Sequence, residues 1–228
     1  MKNPKAPNSK LTKAQLLVEN GRLHREIEHR VRNTLQVVAS LIDVTARSAG
    51  DRSALSVLEA LRARVTAMIM VYQTLDDTPH RAAIDMDEAL RGLALEVIDA
   101  GVLPGPRRII DVHSQGVNLA LDDAIPLTLM VVEVLLATAS DVDIEGDASP
   151  VSIVLSRDVN EGSLRIELDA KQPGPGRVAW PQATQLMMAA LARQLGGPLQ
   201  IDVLQDVTQA VEIRFPVRTL ALDSVSYC

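Results

Sequence analysis

The sequence predicts an α+β protein: a long antiparallel helical hairpin that dimerises into a four-helix bundle, followed by an α/β sandwich. Three observations predict it. Between Leu11 and Ser48 there is no proline, and Gly21 is the only glycine. Apolar residues in that stretch and the next recur at steps of three and four, the helical period. After about residue 85, helical segments alternate with short strand-like runs, the pattern of helices packed on a mixed sheet.

Residues 1–10 are polar and contain prolines, and are expected to be disordered. The first helix should then run for about 38 residues, roughly 57 Å. Its apolar stripe is Ile27, Val31, Leu35, Val38 and Ile42. Gly50-Asp51 supplies a stop and a fresh N-cap. A second helix is expected from Arg52 to Leu75, with Leu58, Leu61, Val65, Met68, Tyr72 and Leu75 forming a heptad seam. A lone hairpin of this length leaves much apolar surface wet, and pairing with a second copy covers it. The hairpin occupies residues 11–77 and a linker residues 78–85.

The sandwich is assigned to residues 86–220 and a tail to 221–228. Met86 to Asp99 reads as a helix ended by Gly101 and Pro104, Arg108 to His113 as a strand, and Val117 to Leu121 as another. Asp122 or Asp123 should cap a helix reaching Ser140. Pro150 to Arg157 and Ser163 to Asp169 read as strands joined by an Asn160-Glu161-Gly162 turn. Gln182 to Leu195 reads as a helix stopped by Gly196-Gly197, and Leu199 to Leu204 with Ala210 to Val217 as a closing hairpin.

Composition narrows the function. Aromatics are only 2%, so the core is aliphatic and no stacking platform for single-stranded nucleic acid exists. The net charge of −6 argues against duplex binding, which needs a basic face. No apolar run is long enough to cross a membrane, and the basic N-terminus lacks the apolar segment of a signal peptide. The one cysteine, Cys228, is the last residue. These features lead to the expectation of a soluble cytoplasmic protein that binds neither membrane nor nucleic acid. No HExxH, CxxC or paired-histidine spacing occurs, so no metal site is expected.

On a helical wheel at about 100° per residue, His29 falls roughly 120–200° from the apolar stripe and faces solvent. Arg22, Arg25, Arg32, Asn33, Gln36 and Ser40 share its face. A solvated imidazole has a substantial neutral fraction near neutral pH, and a neutral ring with a free Nε2 is a competent nucleophile toward phosphorus. Asn33 lies at i+4 and can meet the ring. Glu26 or Glu28 would hold the Nδ1 proton, and flanking arginines would steady phosphoryl oxygens or attract an acidic partner. Most exposed histidines on helices have no such role, and His24, His80 and His113 lack a comparable setting.

The segment Leu23 to Asp43, LHREIEHRVRNTLQVVASLID, resembles the phosphoacceptor box of sensor histidine kinases of the H-R-x-K-N type. The motif stands here as His29, Arg30, Val31, Arg32 and Asn33, with arginine in place of the usual lysine and Thr34 in place of a second asparagine. The resemblance covers the whole hairpin. It implies a dimerisation and phosphotransfer domain with His29 as phosphoacceptor and Asn33, Arg30, Arg32, Glu26 and Glu28 as supporting residues.

In that family a gyrase-type ATP-binding sandwich follows, and the order of elements after residue 84 matches it. The nucleotide signatures do not. A helix that should carry N-E-L-x-x-N-A reads Val132, Glu133, Val134, Leu135, Leu136, Ala137, Thr138. Val132 and Ala137 replace amides, and a methyl group cannot ligate Mg²⁺. Where a D-x-G box should stand, the sequence reads Asp169-Ala170-Lys171. Gly174-Pro175-Gly176 is at most a remnant, and Arg177 to Leu195 contains no glycine. The site near Glu133, Ala137 and Asp169 is therefore read as degenerate, with no cofactor bound by this chain.

The chain thus resembles ChpT-like histidine phosphotransferases of alphaproteobacteria. That resemblance implies a homodimer that shuttles phosphoryl groups between receiver-domain aspartates through His29, with Mg²⁺ held by the receiver. The alternatives are an ATP-dependent kinase acting on His29, a non-catalytic dimeric scaffold for a response regulator, and a receiver phosphatase in which Asn33 positions water.

Overall fold

Thr12 opens the first helix by a reciprocal cap. Its hydroxyl oxygen accepts from the Gln15 amide at 3.3 Å, while Gln15 Oε1 accepts from the Thr12 amide at 2.9 Å. The computed structural model describes residues 12–76, 83–99, 109–114, 116–139, 151–158, 161–169, 182–196, 200–205 and 208–216. The expected disordered N-terminus, the stop at Gly101 and Pro104, the Gly174–Gly176 remnant and the tail lie outside them.

Helix α1 spans Lys13–Ser48 and α2 spans Arg52–Asp76. Asp51 Oδ2 accepts from the Ala54 amide at 3.4 Å, so the expected cap forms at the expected place. The expected stripe on α1 is split between two faces. Leu35, Ala39 and Ile42 pack against Leu58, Val65 and Ile69 of α2. Ile27 and Val38 instead lie exposed, on a face shared with Leu23, Val37, Leu41 and Val44. Positions 23, 27, 30, 34, 37, 41 and 44 step regularly by four and three, with Arg30 and Thr34 as the polar members. Val57 and Leu61 of α2 are exposed as well.

The expected seam on α2 also needs correction. This helix is covered on more than one side, so a single stripe does not describe it. Val65 and Ile69 face α1, and Leu61 is exposed. Ala63, Ala67 and Val71 are buried in the same apolar cluster as Leu90, Met130 and Leu135 of the sandwich. Methyl groups at 63 and 67 let the helices approach closely. Hairpin and sandwich thus share one core rather than meeting through a linker.

Within that contact, Arg64 of α2 forms a two-pronged ion pair with Glu133. Its Nε donates to Oε1 at 2.5 Å and its Nη2 to Oε2 at 3.0 Å. Glu133 is fully buried.

The sandwich begins with β1 (Ile84–Asp85), α3 (Met86–Asp99), β2 (Ile110–His113), β3 (Asn118–Leu119) and α4 (Leu121–Ala139). It continues with β4 (Val151–Arg157), β5 (Glu161–Asp169), α5 (Gln182–Gln194), β6 (Gln200–Gln205) and β7 (Thr208–Pro216). The five-stranded sheet has the order β2-β4-β5-β7-β6, with β2 parallel to β4 and every other pair antiparallel. One face, carrying Ile153, Leu155, Leu164, Ile166, Ile213 and Phe215, packs under the helices. The other carries Ser156, Ser163, Arg165, Glu167, Glu212 and Arg214, whose ion pairs suit a wet surface.

Three local expectations change. Residues 84–85, assigned to the linker, form β1 and pair antiparallel with β3. Asp122 and Asp123 lie inside the first turn of α4, whose first carbonyl is that of Ala120; acids there complement the helix dipole. The β4–β5 turn is tighter than expected, because Glu161 and Gly162 belong to β5 and Gly162 pairs with Arg157. Gly162 has no room for a side chain, since a Cβ would come within 2.3 Å of the Phe215 ring.

Removing one member of the Arg64–Glu133 pair strands a charge in the core. Arg64→Met is expected to lower unfolding free energy by about 3–5 kcal/mol in urea titrations, and Arg64→Met with Glu133→Leu to recover most of it. Equal losses in the single and double variants would show that the charges are not coupled.

Candidate functional site

His29 lies on the solvent side of α1 and is exposed, as the wheel requires. Asn33 is one turn on. Its Nδ2 lies 3.2 Å from His29 Nδ1. The carboxylates expected to orient the ring are engaged elsewhere. Glu26 meets Arg30 at 2.5 Å and Arg22 at 3.5 Å. Glu28 is half-buried toward α2, and its charge helps raise the pKa of Tyr72. The larger cause of that rise is burial of the phenol, and Asp122 adds to it. Nδ1 is thus contacted by an amide.

This contact has a chemical consequence. An amide side chain can present either NH₂ or C=O to the ring, and the two are exchanged by a half-turn. With NH₂ donating, the ring proton sits on Nε2. With C=O accepting, it sits on Nδ1, and the Nε2 lone pair points to solvent. Only the second arrangement gives a nucleophile at the exposed nitrogen.

The supporting arginines diverge. Arg30 is exposed and tied to Glu26, in the middle of the uncovered heptad face. Arg32 turns the other way. It lines an open cleft of about 380 Å³ between α1, α2 and α3, together with Met70, Gln73, Thr74, Glu88 and Gly92. Sequence reasoning had no signal for this cleft, which depends on how α3 packs on the hairpin. Asp87, on the same helix as Glu88, has its pKa held below the usual 3.8, first by the hydrogen bond from Arg91 and then by that from Ser114.

The residues compared with a nucleotide-binding signature in the sequence fall on α4. Val132 and Ala137 are buried apolar residues, and both oxygens of Glu133 are occupied by Arg64. Asp169 is the last residue of β5. These α4 side chains do not fit a magnesium-nucleotide: none offers a free oxygen to a cation. Arg64 was not singled out from sequence, although an acid inside an apolar helix signals that a buried cation must meet it. Among the described residues no group of His, Cys, Asp or Glu is placed to hold a metal ion, and no helix is long and apolar enough to cross a membrane.

A family model described as histidine kinase matches residues 26–100, from the turn before His29 to the end of α3. No curated protein matches the chain. Among solved structures, the histidine kinase domain from the Erythrobacter litoralis EL346 blue-light activated histidine kinase is similar at 21% identity and a TM-score of 0.55. That alignment covers 88% of this chain and 93% of the other. The longer Erythrobacter litoralis EL346 blue-light activated histidine kinase is similar at 18% identity with the same TM-score of 0.55, over 93% of this chain and 63% of that one. The fold is therefore that of a histidine kinase domain, and the matched hairpin segment is histidine kinase-like.

If Asn33 fixes the ring, ¹⁵N NMR of His29 shows one neutral tautomer in the native protein and a mixture in Asn33→Ala, with unchanged helical content. Identical ring spectra in the two proteins would show that Asn33 does not orient the imidazole.

Proposed function

We propose that the chain is a homodimeric histidine phosphotransferase of a two-component phosphorelay, with His29 as the phosphoacceptor. The observation that carries this reading is the pairing of two features. An exposed histidine has its Nδ1 against Asn33, and the sandwich behind it has its α4 acid sealed to Arg64 and methyl groups where a metal would need oxygen. The histidine kinase match over residues 26–100 supports two-component signalling as the setting, and we assign the protein to the cytoplasm.

A receiver domain carrying an aspartyl phosphate docks over His29 and the adjoining cleft. The Nε2 lone pair attacks phosphorus in line. The N–P bond forms as the P–O bond to aspartate breaks, and that electron pair stays on the departing carboxylate. The ring proton remains on Nδ1, accepted by Asn33 Oδ1. Transfer to a second receiver reverses these steps. Mg²⁺ belongs to the receiver, where it offsets charge on the phosphoryl oxygens. The rigid helix contributes placement: a nucleophile held at one height and angle.

Dimerisation is supported by the uncovered face of α1. Leu41 and Val44 are 61% and 63% exposed, and Val57 of α2 is 64% exposed. Such a contiguous apolar stripe is unusual on a monomer. A second copy supplies a matching stripe and closes a four-helix bundle.

One observation favours a second reading, ATP-dependent autophosphorylation of His29: the matching family model is described as histidine kinase. Purified protein should be mixed with a panel of phosphorylated receivers and, separately, with γ-labelled ATP. Label should reach His29 from receivers and not from ATP, and His29→Gln should take up none. Label from ATP alone would favour the kinase, and none from either source would remove His29 from the mechanism. Separately, Leu41→Glu is expected to shift the particle from dimer to monomer by light scattering. A native protein that is already monomeric would overturn the bundle.

A further inference from the structure

We propose that Arg25 holds the phosphoryl oxygens once His29 carries the group. This rests on the reading of His29 as phosphoacceptor. The N-terminal half of α1 presents Arg22, Arg25, Arg30 and Arg32. Three have an acid one turn before them: Glu19 precedes Arg22, Glu26 precedes Arg30 and Glu28 precedes Arg32. Arg25 has Gly21 and Arg22 in those places instead.

The structure keeps this distinction. Arg22 meets Glu19 at 2.7 Å and approaches Glu26 at 3.5 Å. Arg30 meets Glu26 at 2.5 Å. Arg32 is half-buried in the cleft toward α3. Arg25 is exposed and has no hydrogen-bond or ion-pair partner among the described residues. It is the cation on the histidine's face that no carboxylate has already claimed.

Its position suits the task. Arg25 is one turn before His29 and Asn33 one turn after, spacings that bring Cβ atoms to about 5–6 Å. Helical side chains lean toward the N-terminus. Asn33 accordingly leans back onto His29 Nδ1, at 3.2 Å. The His29 side chain leans the same way, toward the turn that carries Arg25. With Nδ1 held on the Asn33 side, a group on Nε2 is presented outward and toward Arg25. A phosphoryl group brings close to two negative charges, and the planar guanidinium offers two parallel donors matched to two of its oxygens.

The test uses the full chain and potassium phosphoramidate, a small donor that needs no receiver. The donor's P–N bond breaks and its amine leaves as ammonia, while the Nε2 lone pair forms the new N–P bond. Phosphohistidine is followed by ³¹P NMR in the native protein and in Arg25→Gln, Arg25→Lys, Arg22→Gln, Arg30→Gln and His29→Gln. Arg25→Gln should slow its formation about tenfold, the scale of one lost charged hydrogen bond. Arg25→Lys, which keeps the charge but loses the two-pronged contact, should fall between native and Arg25→Gln, and the Arg22 and Arg30 variants should stay within about twofold of native. Rates in Arg25→Gln close to native, or equal losses in all three arginine-to-glutamine variants, would overturn the assignment. A native protein labelled no more than His29→Gln would overturn the acceptor reading itself, a different result. Circular dichroism checks the helix; if Arg25→Gln loses structure, a slowed Arg25→Lys with native helix content supports the assignment, and a native rate in Arg25→Lys overturns it.

Discussion

The ion pair between Arg64 and Glu133 constrains everything around it. A carboxylate with 1% of its side chain exposed is tolerable only if a cation meets it, and a buried charge left alone costs several kcal/mol. The partner comes from α2, so the requirement reaches out of the sandwich and fixes where the hairpin lies. Ala63, Ala67 and Val71 follow the same line into the core. The long helices are therefore anchored through α2 while α1 is left outermost. That order decides which residues of α1 meet solvent, His29 among them.

The same clamp bears on chemistry. An acid with both oxygens bound to a guanidinium has little capacity left to hold a further cation. On α4 it lies near the buried side chains of Val132 and Ala137. On its exposed face α1 presents an imidazole, an amide and several arginines. The arrangement there follows from helical register more than from a cavity, because residues one turn apart are neighbours whatever lies behind them.

Much of this was legible in the sequence, and the parts that were not share a cause. Helix limits were read closely: α2 was expected from Arg52 and α3 over Met86 to Asp99, and both begin there because caps and breakers are local signals. The exposure of His29 followed from the wheel alone. What failed depended on contacts between distant segments. The stripe of α1 was read as one face, but Leu35 and Ile42 turn inward while Ile27 and Val38 turn outward. Apolar residues cover both flanks of the helix, and periodicity alone does not say which flank finds α2. Arg64 was missed for the same reason, its partner being 69 residues away. Of the two carboxylates expected to orient the histidine, Glu26 proved to be the counterion of Arg30, a choice between its i+3 and i+4 neighbours that side-chain geometry decides.

Tyr72 has an optical consequence. Its half-buried phenol senses Glu28, the residue directly before the histidine, and Asp122 at the start of α4. A chromophore is thus wired by charge to both the hairpin and the sandwich. Any event that alters the field along α1, or the seating of α4 against it, reaches a ring whose ultraviolet absorption reports its surroundings.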